Sequence, residues 1–188
     1  MVIGIAPDQK KVGKDEPEQI LASTNFITFD GTLASDIGYI EPGTCVGQQD
    51  SSLLYEPVIK AKVAEDADAG DDEVIVTSLY GIEAGDDLIF SYKDEDDEET
   101  IEVDEIVESE NKVVLVSALD NDQVEGVSIR VDDGTQDAVG IYAGTQKIST
   151  KDRKAIFPLT VQAAVKEDLL KSFDDVVKED LENSFIFV

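Results

Sequence analysis

The clearest pattern in the chain is a period of two between residues 66 and 131. Val74 and Val76, Leu88 and Phe90, Ile101 and Val103, Val113 and Leu115, and Val127, Ile129 and Val131 each alternate with other neighbours. In an extended chain successive side chains point to opposite faces, so this alternation predicts half-buried antiparallel strands. The links between them are short and acidic: residues 66–72, Gly85-Asp86-Asp87 and residues 94–99. Five or six strands in so short a stretch predict a small barrel or sandwich.

On either side the pattern differs. Residues 1–19 combine Pro7, Gly13 and Pro17 with charge and show no sustained period, and they read as an extended arm. From Ile20 to Val63 come short apolar runs broken by turn residues: Phe26-Ile27, Gly38-Tyr39-Ile40, Cys45-Val46 and Val58-Ile59. Glu41-Pro42-Gly43 reads as a turn, because Pro presets φ and Gly accepts a positive φ. After Asp132-Asp133-Gly134, apolar runs resume at residues 138–141 and 155–159. The period then changes. Val165, Leu169 and Leu170 stand at helical spacing, and Val176, Val177 and Leu181 repeat it. Two C-terminal helices are expected, the second capped by Ser172 or Asp174. Phe185-Ile186-Phe187-Val188 is an apolar end that should pair as a strand or dock on a partner. Val165-Lys166-Glu167-Asp168-Leu169 recurs as Val177-Lys178-Glu179-Asp180-Leu181, too short and isolated to signal a solenoid. The fold class expected is mainly β (α+β): a small β body of residues 20–65 and 132–188 ending in helices, with an antiparallel β module inserted at 66–131.

Charge changes the picture more than any motif. Asp and Glu number 43 against 15 Lys and Arg, a formal charge of −28 on 188 residues. A small soluble domain needs a net charge of only about 2–8 for solubility. In molar salt the Debye length falls to about 3 Å, which screens such repulsion, so the composition points to a salt-loving source. Hydrophobic residues still make up 41%, so this is not the acidity of a disordered tail. No apolar run approaches the roughly 20 residues of a membrane span, and the apolar residues 1–7 precede Lys10, Lys11 and Lys14, the reverse of a signal peptide's order. No basic cluster with interleaved aromatics appears, so no nucleic-acid partner is expected.

Candidate chemistry is thin. There is no His, and the one Cys, Cys45, reads as a small buried residue. The commonest general base and transition-metal ligand is thus missing. Residues 94–99, Asp120-Asn121-Asp122 and Asp132-Asp133-Gly134-Thr135 are rich in acids but lack the spaced acids, central Gly and closing Glu of an EF-hand. They read as turns. With so many carboxylates a chance pair carries no specificity for glycosidase chemistry, and residues 81–85 lack the strand–GxGxxG–helix context of a nucleotide site. The expectation is no catalytic residue, no metal ligand and no cofactor.

Two patterns carry a resemblance. Leu33 through Gly47, with Pro42-Gly43-Thr44-Cys45-Val46-Gly47 at its end, is similar to the leading turn and first strand of lambda-like head decoration proteins of tailed viruses. Tyr55-Glu56-Pro57-Val58, Ala138-Val139-Gly140-Ile141-Tyr142 and residues 164–169 resemble later segments of that family. Residues 177–188 look like its closing helix and short hydrophobic strand. Lys166 stands where the family often has Asn, and Ser184 where it usually has Gly. Separately, residues 84–90, 100–106, 111–116, Leu119 and 126–131 resemble a small β module that recurs in virion proteins. The resemblance implies a non-enzymatic protein on the outer surface of the virion capsid, a homotrimer bound to the major capsid protein, in a virus of a haloarchaeon. The arm would then be the clamp, with Val2, Ile3, Ile5, Ile20 and Leu21 as capsid contacts. A neck or tail connector, or a carbohydrate- or ion-binding module of a halophile cell surface, are the alternative readings.

Overall fold

A computed structural model describes residues 20–22, 26–91 and 98–188. Within them the chain is mainly β with one α-helix. The alternating stretch forms a sheet of β6 (Glu73–Ile75), β7 (Asp87–Ser91), β8 (Glu99–Val107), β9 (Lys112–Leu115) and β10 (Ser128–Val131), and β5 (Ala61–Lys62), from before the expected boundary at residue 66, joins it as a sixth strand in the order β5-β10-β7-β8-β9-β6. All its ladders are antiparallel. The sheet curls until its edges meet at one bridge, Val63 to Val76, flanked by Ala64 N–H to Ile75 O at 2.8 Å and Thr77 N–H to Lys62 O at 2.9 Å. A β-bulge between Val103 and Glu105 lets the long β8 serve both halves of the curl.

The alternating residues are the core of this unit. Val74, Val76, Leu88, Phe90, Ile101, Val103, Val113, Leu115, Ile129 and Val131 are all buried in one cluster, with Val127 packed against it. Each full burial of a Val, Leu or Ile side chain stabilises by about 1.5–3 kcal/mol. The cluster draws only on residues 61–131.

The rest of the chain closes a five-stranded barrel. β1 (Ile27–Leu33), β4 (Tyr55–Pro57), β3 (Cys45–Gln48), β11 (Gly140–Tyr142) and β13 (Ala155–Val165) follow one another, and β1 pairs again with β13 to shut the ring. β1 is paired along its whole length with β13 and meets β4 on its other side at Leu33 and Tyr55. Phe157 fills the interior, with Tyr55 and Tyr142 edge-on at 5.7 and 5.9 Å between ring centroids. Its ring needs the space above Gly31, its partner in the β1–β13 ladder: a Cβ there would lie 2.5 Å from Phe157 Cε1. A short ribbon of β2 (Tyr39–Ile40) and β12 (Ile148–Ser149) flanks the barrel.

Outside the barrel, α1 (Asp175–Leu181) and β14 (Phe185–Phe187) cover a second core of Cys45, Val58, Ile141, Val165, Val177, Leu181 and Phe185. The apolar chain end is thus a strand, parallel to β13 at Ala163–Val165. Asp174 caps α1, its Oδ1 accepting from Val177 N–H at 3.0 Å. One expectation needs correction. Val165 to Leu170 is not a helix: Val165 ends β13, Glu167–Leu169 is a single 3₁₀ turn, and Leu170 is extended. The β-ladders on both sides of Val165, to Leu21 and to Phe187, hold it extended.

Candidate interaction surfaces

The expected capsid contacts divide sharply. Val2, Ile3 and Ile5 lie outside the described residues. Ile20 is buried at 7% exposure among Cys45, Ile141 and Val165, so its side chain serves this chain's own core. Leu21 is half-buried and bridges Val165, while Ala22 N–H reaches Ala164 O at 2.8 Å and Lys166 N–H reaches Ile20 O at 2.9 Å. Residues 20–22 therefore anchor whatever precedes them to the end of β13.

A few residues on, β1 opens to solvent. Phe26, Ile27 and Phe29 are 48, 46 and 59% exposed. Phe29 and Ile27 continue the face that Leu33 and Gly31 turn toward the core, beyond the point where barrel side chains cover it. Ile27 and Phe29, two residues apart on one face, form a short exposed apolar strip, and such strips mark interaction surfaces more often than scattered single residues do. The run Phe26-Ile27 was visible in the sequence as a short strand. Its exposure was not, since that depends on where the barrel ends.

The two units meet at a cleft of about 270 Å³ lined by Tyr39, Glu41, Lys60, Tyr80, Lys171 and Ser172, among others. Its charges are internally satisfied. Lys171 and Lys147 both hold Glu41, and these two partners keep its carboxyl below the usual range. Lys60, with its side chain 2% exposed, reaches Glu56 Oε2 at 2.6 Å, and Gln49 Nε2 donates to the other oxygen at 2.5 Å. Lys147 also sits 4.5 Å from the centroid of the Tyr39 ring. Beside the cleft, Ser172 Oγ accepts from Ile59 N–H at 2.7 Å, fixing the C-terminal segment to the strand crossing. Arg130 on β10, its side chain 3% exposed, reaches both oxygens of Asp174 at 2.7 Å, tying the inserted sheet to the start of α1. The cleft is a structural joint. Its cations are already engaged and have little left to offer a ligand.

The acidic runs act as turns and clamps. Asp94–Asp97 lie outside the described residues, but Glu99 is buried and accepts from Asp120 N–H at 2.6 Å and Gln123 Nε2 at 3.1 Å. Asp133 Oδ1 accepts from Thr135 N–H at 2.9 Å and Thr135 Oγ1 at 2.5 Å. Among the described residues no three acids or thiols are grouped as a metal site. Burial pushes the Cys45 thiol up to about 12, so it is an inert core residue at neutral pH. No helix among the described residues is long and apolar enough to cross a membrane. Comparison with protein-family models, curated proteins and solved structures found no match.

Proposed function

We propose that this chain is a structural protein of a tailed-virus particle, decorating and stabilising the outer face of the capsid as a trimer, in a host that lives in strong salt. One observation supports the reading. Of the five separated segments that resemble head decoration proteins, four (33–47, 138–142, 164–169 and 177–188, taken in that order) assemble into a single body, and Val58 of the fifth, 55–58, joins the same core. Cys45 and Val46, from the first segment, stand opposite Ile141 and Gly140 of the second in the antiparallel ladder of β3 and β11, where Val139 N–H reaches Val46 O at 2.9 Å and Tyr142 N–H reaches Thr44 O at 2.9 Å. Val165 of the third and Val177, Leu181 and Phe185 of the fourth pack on Cys45 and Ile141 in one core. The module-like segments 84–131 share a separate core and sheet with residues 61–82. A decoration protein works by interface burial repeated over a shell, where avidity multiplies modest contacts. The exposed strip of β1 supplies apolar area for this, and residues 1–19, which the sequence reads as an arm, would add a strand to a sheet edge on the shell.

The test is binding to undecorated shells of a haloarchaeal tailed virus in molar salt, followed by sedimentation. The full chain is expected to co-sediment to saturation, and the chain lacking residues 1–19 to remain folded but unbound. Equal occupancy by the truncated chain would remove the clamp role. Failure of the full chain to bind would remove the decoration reading.

A further inference from the structure

Positive charge is scarce in this chain, so its placement is informative. With 43 acids against 15 bases, a surface cation should readily find a carboxylate. Lys60, Lys112, Arg130, Lys147, Lys171 and Lys178 all do. Lys62, standing alone, and Lys151, Arg153 and Lys154 do not. The last three stand exposed in the turn between β12 and β13, and none pairs with a described carboxylate. Their own side chains do not hold the turn. Thr150 is fully buried and donates from both N–H and Oγ1 to Gly38 O, at 3.0 and 2.9 Å. Asp152 takes a left-handed φ of 57° with its N–H on Asp36 Oδ1 at 2.8 Å, and Arg153 N–H reaches Thr150 O at 3.2 Å. The backbone thus carries three cations beside the two carboxylates of Asp152 and Asp36 on a turn that is held in place, which lowers the ordering cost of docking. Two residues on, Ile156 is 75% exposed and adds an apolar centre.

A surface of opposite character lies on the inserted sheet. The loops 66–72 and 119–125 are laced together by Ala67 and Gln123, whose N–H groups reach each other's carbonyls at 2.8 and 2.7 Å. Ala69 N–H to Asp122 Oδ1 at 2.8 Å and Glu125 N–H to Asp66 Oδ1 at 2.7 Å add to the lacing. Asp68, Asp120 and Glu125 stand exposed on this rim around Val124, itself 57% exposed. No Lys or Arg occurs between residues 63 and 92 or between 113 and 129.

The geometry points to a head-to-tail contact between copies of this chain, in which the basic turn 151–154 and Ile156 of one copy dock on the acidic rim around Val124 of the next. Complementary charge fixes orientation and register, while the apolar centres exclude water. Two different patches on one chain make a heterologous interface, which closes into a ring when the rotation allows. The inference deepens the trimer of the proposed function and rests on that reading only for the ring size.

The test is the mass of the full chain by light scattering, at one ionic strength and over a wide range of protein concentration, without shells. The wild type is expected to form a small closed oligomer. Lys151→Glu, Arg153→Glu and Lys154→Glu together should weaken association by about 100-fold or more, since like charges then face each other. The circular dichroism of the folded chain should be unchanged, because the backbone holds the turn, while the melting temperature falls only as far as the lost association requires. Adding Asp68→Lys, Asp120→Lys and Glu125→Lys to the same chain reverses both faces and should restore the wild-type mass. A wild type that stays a single chain at every concentration overturns the contact. So does a turn-reversed chain of wild-type mass, or a doubly reversed chain that stays single. If the turn-reversed chain keeps its mass but loses shell binding, the turn faces the shell and the self-contact is wrong. The decoration reading itself fails only in the shell experiment.

Discussion

Asp86 shows how a single side chain can sit at odds with the net charge of the whole chain. Its Oδ2 accepts from Glu83 N–H at 2.7 Å and so closes the turn that opens β7. Burial raises its folded pKa, and the nearby carboxylates of Glu83 and Asp133 add to the rise. An acid whose folded value lies above its unfolded one costs stability wherever it is ionised, and the cost vanishes once both states are protonated. Asp86→Asn keeps an acceptor for Glu83 and removes the charge. The variant is expected to melt above the parent at neutral pH, by about 1–3 °C for a chain of this size. The two should melt together at about pH 3, below the ordinary carboxylate range. A difference that persists in acid would show that the gain comes from packing or the unfolded state.

At the scale of elements, the duplicated Val-Lys-Glu-Asp-Leu run shows how context decides conformation. The first copy starts in β13 and ends in one 3₁₀ turn, with no side-chain cap on Lys166. The second forms α1 because Asp174 caps it and because Val177 and Leu181 find a core beneath. Asp174 also holds Arg130, whose guanidinium is almost fully buried. These two roles separate by substitution. Asp174→Asn keeps a cap acceptor and loses the ion pair, whereas Asp174→Ala loses both. Removing one partner of a buried pair costs about 3–5 kcal/mol, and losing a cap a further ~1 kcal/mol. Asp174 is itself a quarter exposed, so the lower end of that range is expected for Asn. Urea unfolding should rank wild type above Asn and Asn above Ala. Equal midpoints for the two variants would deny the cap a separate contribution.

For the whole molecule, the order of strands implies that residues 60–132 can stand alone. Their core is self-contained and their sheet curls nearly shut. The excised segment is expected to show β-type circular dichroism and a cooperative melt, less stable than in the intact chain because Arg130 loses Asp174 and the outer face of β10 loses its cover. A non-cooperative melt would mean that the barrel supplies part of its fold.

The sequence alone determined the alternating strands of the inserted sheet, the β-rich class and the overall charge, and it narrowed the cap of α1 to Ser172 or Asp174. Each is a local property: period-two alternation records a strand with one covered face, and a cap acts over three residues. β3 and β11 gave only short apolar runs, because Cys45, Val46 and Gly47, like Gly140, Ile141 and Tyr142, are covered on both faces and so do not alternate. Closure of the barrel joins Phe29 to Leu159 across most of the chain, and no local signal reports that pairing. The same long-range packing puts Ile20 inside the core, leaves Phe26 and Phe29 on the surface, and leaves Lys151, Arg153 and Lys154 without an ion pair to a described carboxylate. Composition counts charges and periodicity marks faces. Which face is covered, and which charge goes unpaired, is decided only when distant strands meet.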